Sequence, residues 1–220
     1  FSAQREVIVS CGTIASPALL QRSGIGPASV LRQCGVDLIF DSPDVGRRMF
    51  EHAGVAMPHR LRNADGLNWR FRGVGLGLSV AEYFLFGRGP LASGPFDVGA
   101  FVRTSERLKR PNAQIYMNAL TFAPNPNTGG SSQAAAVDKL PGMTIYGMLL
   151  NLTSQGTIEI SGPGADAPLL INPNWLSTSD DQSAIVEMIH LVRRLMTRPA
   201  IKPFIQQELI PGPQIRNDHD

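Results

Sequence analysis

From residue 53 onward the chain is cut into short segments of alternating apolar and polar residues, each bounded by Gly or Pro. This pattern points to an antiparallel sheet with one wet face. The candidate strands are Val55–Leu61, Asp97–Arg103, Ala113–Ala119, Thr144–Leu150 and Gly156–Ile160. Period 2 puts alternate side chains of each strand on the same face. Two helical patterns accompany them. Gly77–Phe86 sets Leu78, Val80, Ala81 and Leu85 at helical spacing, and Asp180–Met196 places Ile185, Met188, Ile189, Val192 and Met196 on one stripe with Glu187, Arg193 and Arg194 off it. Ser177, Thr178, Ser179 and Asp180 offer caps at the start of the second helix, and Pro199 lies just past its end.

The first fifty residues have a different texture. A β-rich run (Val7, Ile8, Val9) leads into a small-residue turn (Ser10, Cys11, Gly12) and then into Ser16-Pro17, which reads as an N-cap followed by Pro at the first helical position. Ser23-Gly24-Ile25-Gly26-Pro27 stops that helix, Ser29–Cys34 gives a second short one, and Gly35–Phe40 alternates like a strand. The stretch Ala123–Ala136 has no periodicity and reads as a long loop. The chain starts without Met and almost directly in a strand-like run, so its beginning reads as a cut rather than a native terminus.

Composition removes several function classes. Lys plus Arg total 20 against 18 for Asp plus Glu, so no strong field draws nucleic acid or an anionic membrane. The basic stretches around Arg70 and Arg72 and from Arg103 to Arg110 read as solvated faces. Cys11 and Cys34 match no zinc, cluster or redox spacing, and two cysteines fit a reduced, cytoplasmic setting. No apolar run is long enough to span a bilayer. None of His52, His59, His190 and His219 is placed as a metal ligand, and His59 and His190, within apolar patterns, read as packing residues. A dinucleotide fingerprint needs G-x-G-x-x-G between a strand and a helix. Gly24-Ile25-Gly26 follows a helix and Gly73-Val74-Gly75-Leu76-Gly77 follows no strand, so both read as turns.

The span from Cys11 to Pro27, with its small-Gly turn, Ser16-Pro17 helix start and Ser23-Gly24-Ile25-Gly26 stop, resembles the second signature of the glucose-methanol-choline (GMC) flavin oxidoreductases. Val45-Gly46-Arg47-Arg48-Met49-Phe50-Glu51-His52 is similar to that family's Val-Gly-x-Asn-Leu-x-Asp-His element, with Arg48 in place of Asn and Glu51 in place of Asp. Further similarities follow in family order: Arg88-Gly89-Pro90-Leu91, Val98–Arg103, Asn112–Ile115, Ser154–Ile160, and Pro173-Asn174-Trp175-Leu176 with Asp180-Asp181.

The resemblance implies an α+β architecture: a small piece of an FAD-binding α/β domain over residues 1–52, and over 53–220 a substrate-binding domain with an antiparallel sheet flanked by helices. It implies FAD as the cofactor of the intact parent and an alcohol as substrate, oxidised by hydride transfer to flavin. The family's strand-to-helix phosphate loop and its His-Pro-x-Gly-Thr catalytic segment do not occur in these residues. The chain is therefore expected to be inactive and FAD-free on its own, with no catalytic residue and with complementary fragments of the same enzyme as possible partners. Ser10, Cys11, Gly12 and His52 match positions near the flavin, and for Cys11 a packing role in the turn stands equally open. Tyr146 and Met148 share one strand face, as do Tyr116 and Asn118 on a neighbouring strand, and these four are the candidate substrate contacts, with core packing the reading favoured for each taken singly. Such a surface favours aromatic or aliphatic alcohols over sugars, and Ala53-Gly54 after His52 supplies no carboxylate for a quaternary ammonium such as choline. Two other classes stay open: a hydroxynitrile lyase of the same family, and a non-catalytic binding or scaffold module.

Overall fold

A computed structural model describes residues 2–123 and 136–218. In chain order the elements are α1 (Gly12–Arg22), β1 (Ile25–Gly26), α2 (Ala28–Gln33), β2 (Phe40–Asp41), β3 (Gly54–Leu61), α3 (Gly73–Phe86), β4 (Val98–Val102), β5 (Ala113–Asn118) and β6 (Gly142–Leu149). They are followed by β7 (Thr157–Ile160), β8 (Leu169–Asn172), α4 (Ser179–Met196) and β9 (Ile205–Glu208). The chain divides into two compact units, residues 1–51 with 152–181 and residues 52–151 with 182–220.

In the first unit α1 and α2 pack Ala18, Val30 and Leu31 against Ile160 of β7. Gln21 explains why residues 152–181 join the opening segment rather than the domain expected over 53–220. Its side chain is fully buried; Nε2 donates to the carbonyls of Val45 (3.2 Å) and Ile158 (3.0 Å), and Oε1 accepts the Ile160 N–H at 2.9 Å. One amide thus supplies β7 with partners that a strand neighbour would otherwise provide. β7 pairs antiparallel with β8, and Met49 forms an antiparallel bridge to Gly156.

Several local expectations are corrected here. Val7–Val9 forms no strand, and Val7 and Ile8 stand 77% and 80% exposed. A strand requires a hydrogen-bonding neighbour, and no described strand pairs with this run. Of Gly35–Phe40 only Phe40 lies in a strand, the two-residue β2, which runs parallel to β1. Gly24–Gly26 is therefore no simple turn, since Ile25 and Gly26 form a strand. Ser16 is not the N-cap: α1 begins at Gly12 with Pro17 inside it, and the Ser16 hydroxyl accepts the Cys11 N–H at 3.0 Å.

The second unit carries a five-stranded antiparallel sheet in the order β4-β5-β6-β3-β9. The helical stripe expected on α4 covers one face. Met188 and Val192 are 0% and 1% exposed, and Val192 and Met196 pack on Met57, Met143 and Ile145. Each such side chain contributes about 1.5–3 kcal/mol of burial, so this interface dominates the unit. Gly147 lies directly beneath α4, where an added Cβ would come within 2.6 Å of Met188 Sδ. His59 is buried on the same side, its Nδ1 2.9 Å from the Met57 carbonyl. His190 departs from the packing expectation: it is partly exposed, and its Nε2 meets Asp218 Oδ1 at 2.7 Å. Gly73–Gly77 proves to be the start of α3, not a turn. Arg70 is not simply a solvated charge, because it pairs with Glu82 and is largely shielded. Most of Ala123–Ala136 and His219 lie outside the described residues.

Candidate functional site

Strand register decides which candidate residues meet. Tyr116 of β5 lies opposite Tyr146 of β6, Asn118 opposite Thr144, and Met148 opposite Gln114. On the neighbouring strands β4 and β3, Gly99 pairs with Tyr116, Ala56 with Tyr146 and Gly54 with Met148. With Ile145 and Gly147 facing α4, period 2 sends Tyr116, Asn118, Tyr146 and Met148 together to the opposite face. Gly99, Ala56 and Gly54, the partners on β4 and β3, are small and leave room beside Tyr116, Tyr146 and Met148.

Phe96, just before β4, completes an aromatic cluster. It stacks on Tyr116 (centroids 4.9 Å apart, planes at 30°) and meets Tyr146 edge-on (5.3 Å, 76°). Offset and edge-on contacts of this kind are worth about 0.5–1.5 kcal/mol each beyond area burial. Beside the cluster opens a cavity of about 410 Å³ whose lining includes Leu67, Phe71, Phe96, Leu120, Phe122 and Tyr146. Asn118 and Asp97 contribute side-chain polarity to its wall. Burial raises the Tyr146 phenol above its ordinary value, only partly offset by a hydrogen bond with Thr144, so the ring stays neutral.

A scaffold of buried polar bonds holds the cavity's outer wall. Asn68, 1% exposed, donates to the Thr121 carbonyl (2.9 Å) and hydroxyl (3.1 Å) and to the Asp138 carbonyl (3.2 Å), and accepts the Gly142 N–H at 3.0 Å. Arg60 donates to the Asp138 carboxylate at 2.6 Å. Burial alone would raise the Asp138 carboxyl, but the Arg60 guanidinium together with the Leu140 and Lys139 N–H groups outweighs it and holds the group below its usual value.

Of the sequence-predicted residues, Ser10, Cys11 and Gly12 lie at the exposed start of α1 in the first unit. Gly12 has φ +82° and open space where a Cβ would stand, so backbone there is free to approach a flat ligand. His52 is exposed and belongs to the second unit. Phe96, Phe71 and Leu67 escape sequence reading because they sit off the strands, where no periodicity marks the face a side chain takes.

A sheet covered by helix on one side and carrying an aromatic cavity on the other, joined to a small α/β unit, defines a two-unit α+β protein. Profiles of the GMC oxidoreductase family match residues 1–54 and 153–220, together more than half of the sequence. The chain belongs to the GMC oxidoreductase family. It is 30% identical over 216 residues to an oxygen-dependent choline dehydrogenase of Serratia proteamaculans, covering 98% of this chain and 38% of that protein. A Pseudomonas aeruginosa protein of the same name is 29% identical over 221 residues, covering 98% and 37%. Among solved structures, formate oxidase of Aspergillus oryzae RIB40 superposes with a TM-score of 0.83 at 23% identity, covering 99% of this chain and 41% of that one. Pyridoxine 4-oxidase from Mesorbium loti gives 0.68 at 24% identity, covering 91% and 34%. The chain thus spans less than two-fifths of the length of these curated relatives. No helix among the described residues is long and apolar enough to cross a membrane.

Proposed function

We propose that this chain is part of an FAD-dependent alcohol oxidase or dehydrogenase, in which the open sheet face of the second unit holds the alcohol. The observation supporting this reading is the cavity beside Phe96, Tyr116 and Tyr146, with Asn118 in its wall. Asn118 can hydrogen-bond one hydroxyl. The surrounding rings and aliphatic groups favour an aromatic or aliphatic alcohol over a sugar, because each further hydroxyl buried unpaired against them costs about 1–3 kcal/mol.

The residues of the first unit fit the cofactor. Ser10, Cys11 and Gly12 are exposed at a helix start and Gly12 leaves backbone bare, so these three would hold the FAD, while His52, in the second unit, is a separate candidate contact. When bound, the flavin supplies the hydride acceptor. Tyr116, Asn118, Tyr146 and Met148 orient the alcohol and exclude water from it. No residue of this chain is assigned the role of general base, so the chain alone is proposed to be inactive, with the remainder of the parent enzyme completing the site.

A quaternary-ammonium alcohol is a second reading, favoured by Asp97, an acidic residue in the lining of the same aromatic cavity. Anaerobic addition of benzyl alcohol or choline to the flavin-loaded parent enzyme tests both. Bleaching of the oxidised flavin by benzyl alcohol supports the first reading, and bleaching by choline alone supports the second. Conversion of a cyanohydrin with the flavin still oxidised identifies a lyase instead, and no response at all leaves a binding module.

A further inference from the structure

We propose that a second cavity, between the end of α4 and β9, binds the phosphate group of a small molecule, with His59 at its floor and Arg62 and Lys202 at its rim. This cavity, about 370 Å³, is lined by these three residues with Arg193, Glu208 and neighbouring groups. It lies on the helix-covered side of the sheet and is independent of the alcohol chemistry.

Charge and hydrogen bonding point to this ligand. Glu208 is committed: its Oε2 accepts from Arg193 Nε at 3.0 Å, and its Oε1 accepts from Arg193 Nη2 at 2.8 Å and from the Gly212 N–H at 3.1 Å. The Arg193–Glu208 pair therefore cancels, and Arg62 and Lys202 leave the cavity net positive. Arg62 is steadied by donating Nε to the Pro203 carbonyl at 3.2 Å. His59 is only 1% exposed, and its Nδ1 faces the Met57 carbonyl at 2.9 Å, so that nitrogen carries the proton and Nε2 keeps a lone pair.

A buried acceptor beneath two cations selects an oxyanion that brings its own proton. Phosphate keeps that proton on a minor fraction of its molecules at pH 7, since its second ionisation falls at about 6 in monoesters, and binding at Nε2 would select this fraction; sulfate, of similar size and shape, has none to offer. The phosphate O–H would donate to Nε2 while its oxygens accept from Arg62 and Lys202. Burial, the largest influence, lowers the His59 pKa; the Met57 carbonyl and Glu208 pull it upward and Arg193 pushes it down. The cations Lys202 and Arg62 line the same cavity, and the β6 register partner, Met143, carries no charge. The ring thus stays neutral at pH 7, and the distinction between the two oxyanions holds there.

Calorimetry and histidine-ring NMR on the protein, titrated with inorganic phosphate, sulfate and methyl phosphate, provide the test. Phosphate should shift the His59 resonances and bind about tenfold more tightly than sulfate at pH 7, the value of one charge-assisted hydrogen bond, with the gap narrowing as pH falls and His59 protonates. Lys202→Met and Arg62→Gln, both at the surface, should each weaken phosphate several-fold. Tighter binding of methyl phosphate than of inorganic phosphate identifies a phosphorylated metabolite, and the reverse identifies free phosphate. Equal affinity for sulfate and phosphate, unmoved His59 resonances, or rim variants that bind like the parent would overturn the proposal.

Discussion

Asp181 accepts the backbone N–H of Ser154 at 2.8 Å and that of Thr153 at 2.9 Å, so one carboxylate in the first turn of α4 fixes the chain entering β7. The Thr153 hydroxyl adds a third bond at 3.1 Å. Burial alone would raise this carboxyl, but the hydrogen bonds from Ser154 and Thr153 outweigh it and hold the group at about 2.

The folded-state value lies below the unfolded one, so the unfolded chain binds more protons in acid and Asp181 stabilises only where it is ionised. The contribution, about 2 kcal/mol, is complete above the ordinary carboxylate range and fades as pH falls toward 2. Asp181→Asn should lower urea stability by about that amount at pH 7. Wild type and variant should converge near pH 2, and a gap that persists there would contradict the assignment.

Gln21 performs a comparable task with an amide, and it needs both halves. Its Nε2 donates twice and its Oε1 accepts once, all in a buried site. Gln21→Leu removes every partner at once and leaves the Ile160 N–H buried and unpaired, a cost of about 2–3 kcal/mol. Gln21→Glu keeps the acceptor and loses the donors, and it should be no better tolerated. Hydrogen exchange at the Ile160 amide checks the claim directly, since loss of protection is expected in the Leu variant while the amides of β5 stay protected.

Gly147 and Met188 should behave as a coupled pair. Gly147→Ala pushes a methyl to within 2.6 Å of Met188 Sδ, and overpacking of this kind costs about 1–3 kcal/mol. Met188→Ala alone opens a cavity at a cost of about 2–5 kcal/mol. In the double variant the new methyl occupies part of that space, so the summed penalties should exceed the measured one. A strictly additive denaturant cycle would show that the two side chains do not share this volume.

The sheet was legible in sequence because α4 buries one face of it and forces alternation on β3, β5 and β6. The α4 stripe from Ile185 to Met196 was legible for the same reason. Elements held by something other than burial were not. Val7–Val9 has strand composition but no paired neighbour, and β9 carries Gln206 and Gln207 where an apolar alternation would have marked it. The grouping of 152–181 with the opening residues rests on the Ala18, Val30, Leu31 and Ile160 core and on Gln21, a side chain with partners more than 130 residues away in β7. Tyr116, Asn118, Tyr146 and Met148 could be placed on shared faces by period 2 alone, whereas Phe96 required coordinates.

Phe96 offers the sharpest test of the cavity because it is not a structural keystone. Its side chain is 41% exposed and belongs to neither buried core cluster, so Phe96→Ala should cost about 1 kcal/mol of stability, the scale of its ring contacts. Its loss would strip one aromatic wall from the cavity and free the Tyr116 and Tyr146 rings to move. In the flavin-loaded parent enzyme kcat/KM for an aromatic alcohol should then fall about tenfold, through KM more than kcat, because the wall binds ground state and transition state alike. Phe96→Leu, which restores apolar volume but not the stacked plane, should recover short aliphatic alcohols better than aromatic ones. An unchanged KM for both classes in the Ala variant would place the substrate elsewhere than over Tyr116 and Tyr146.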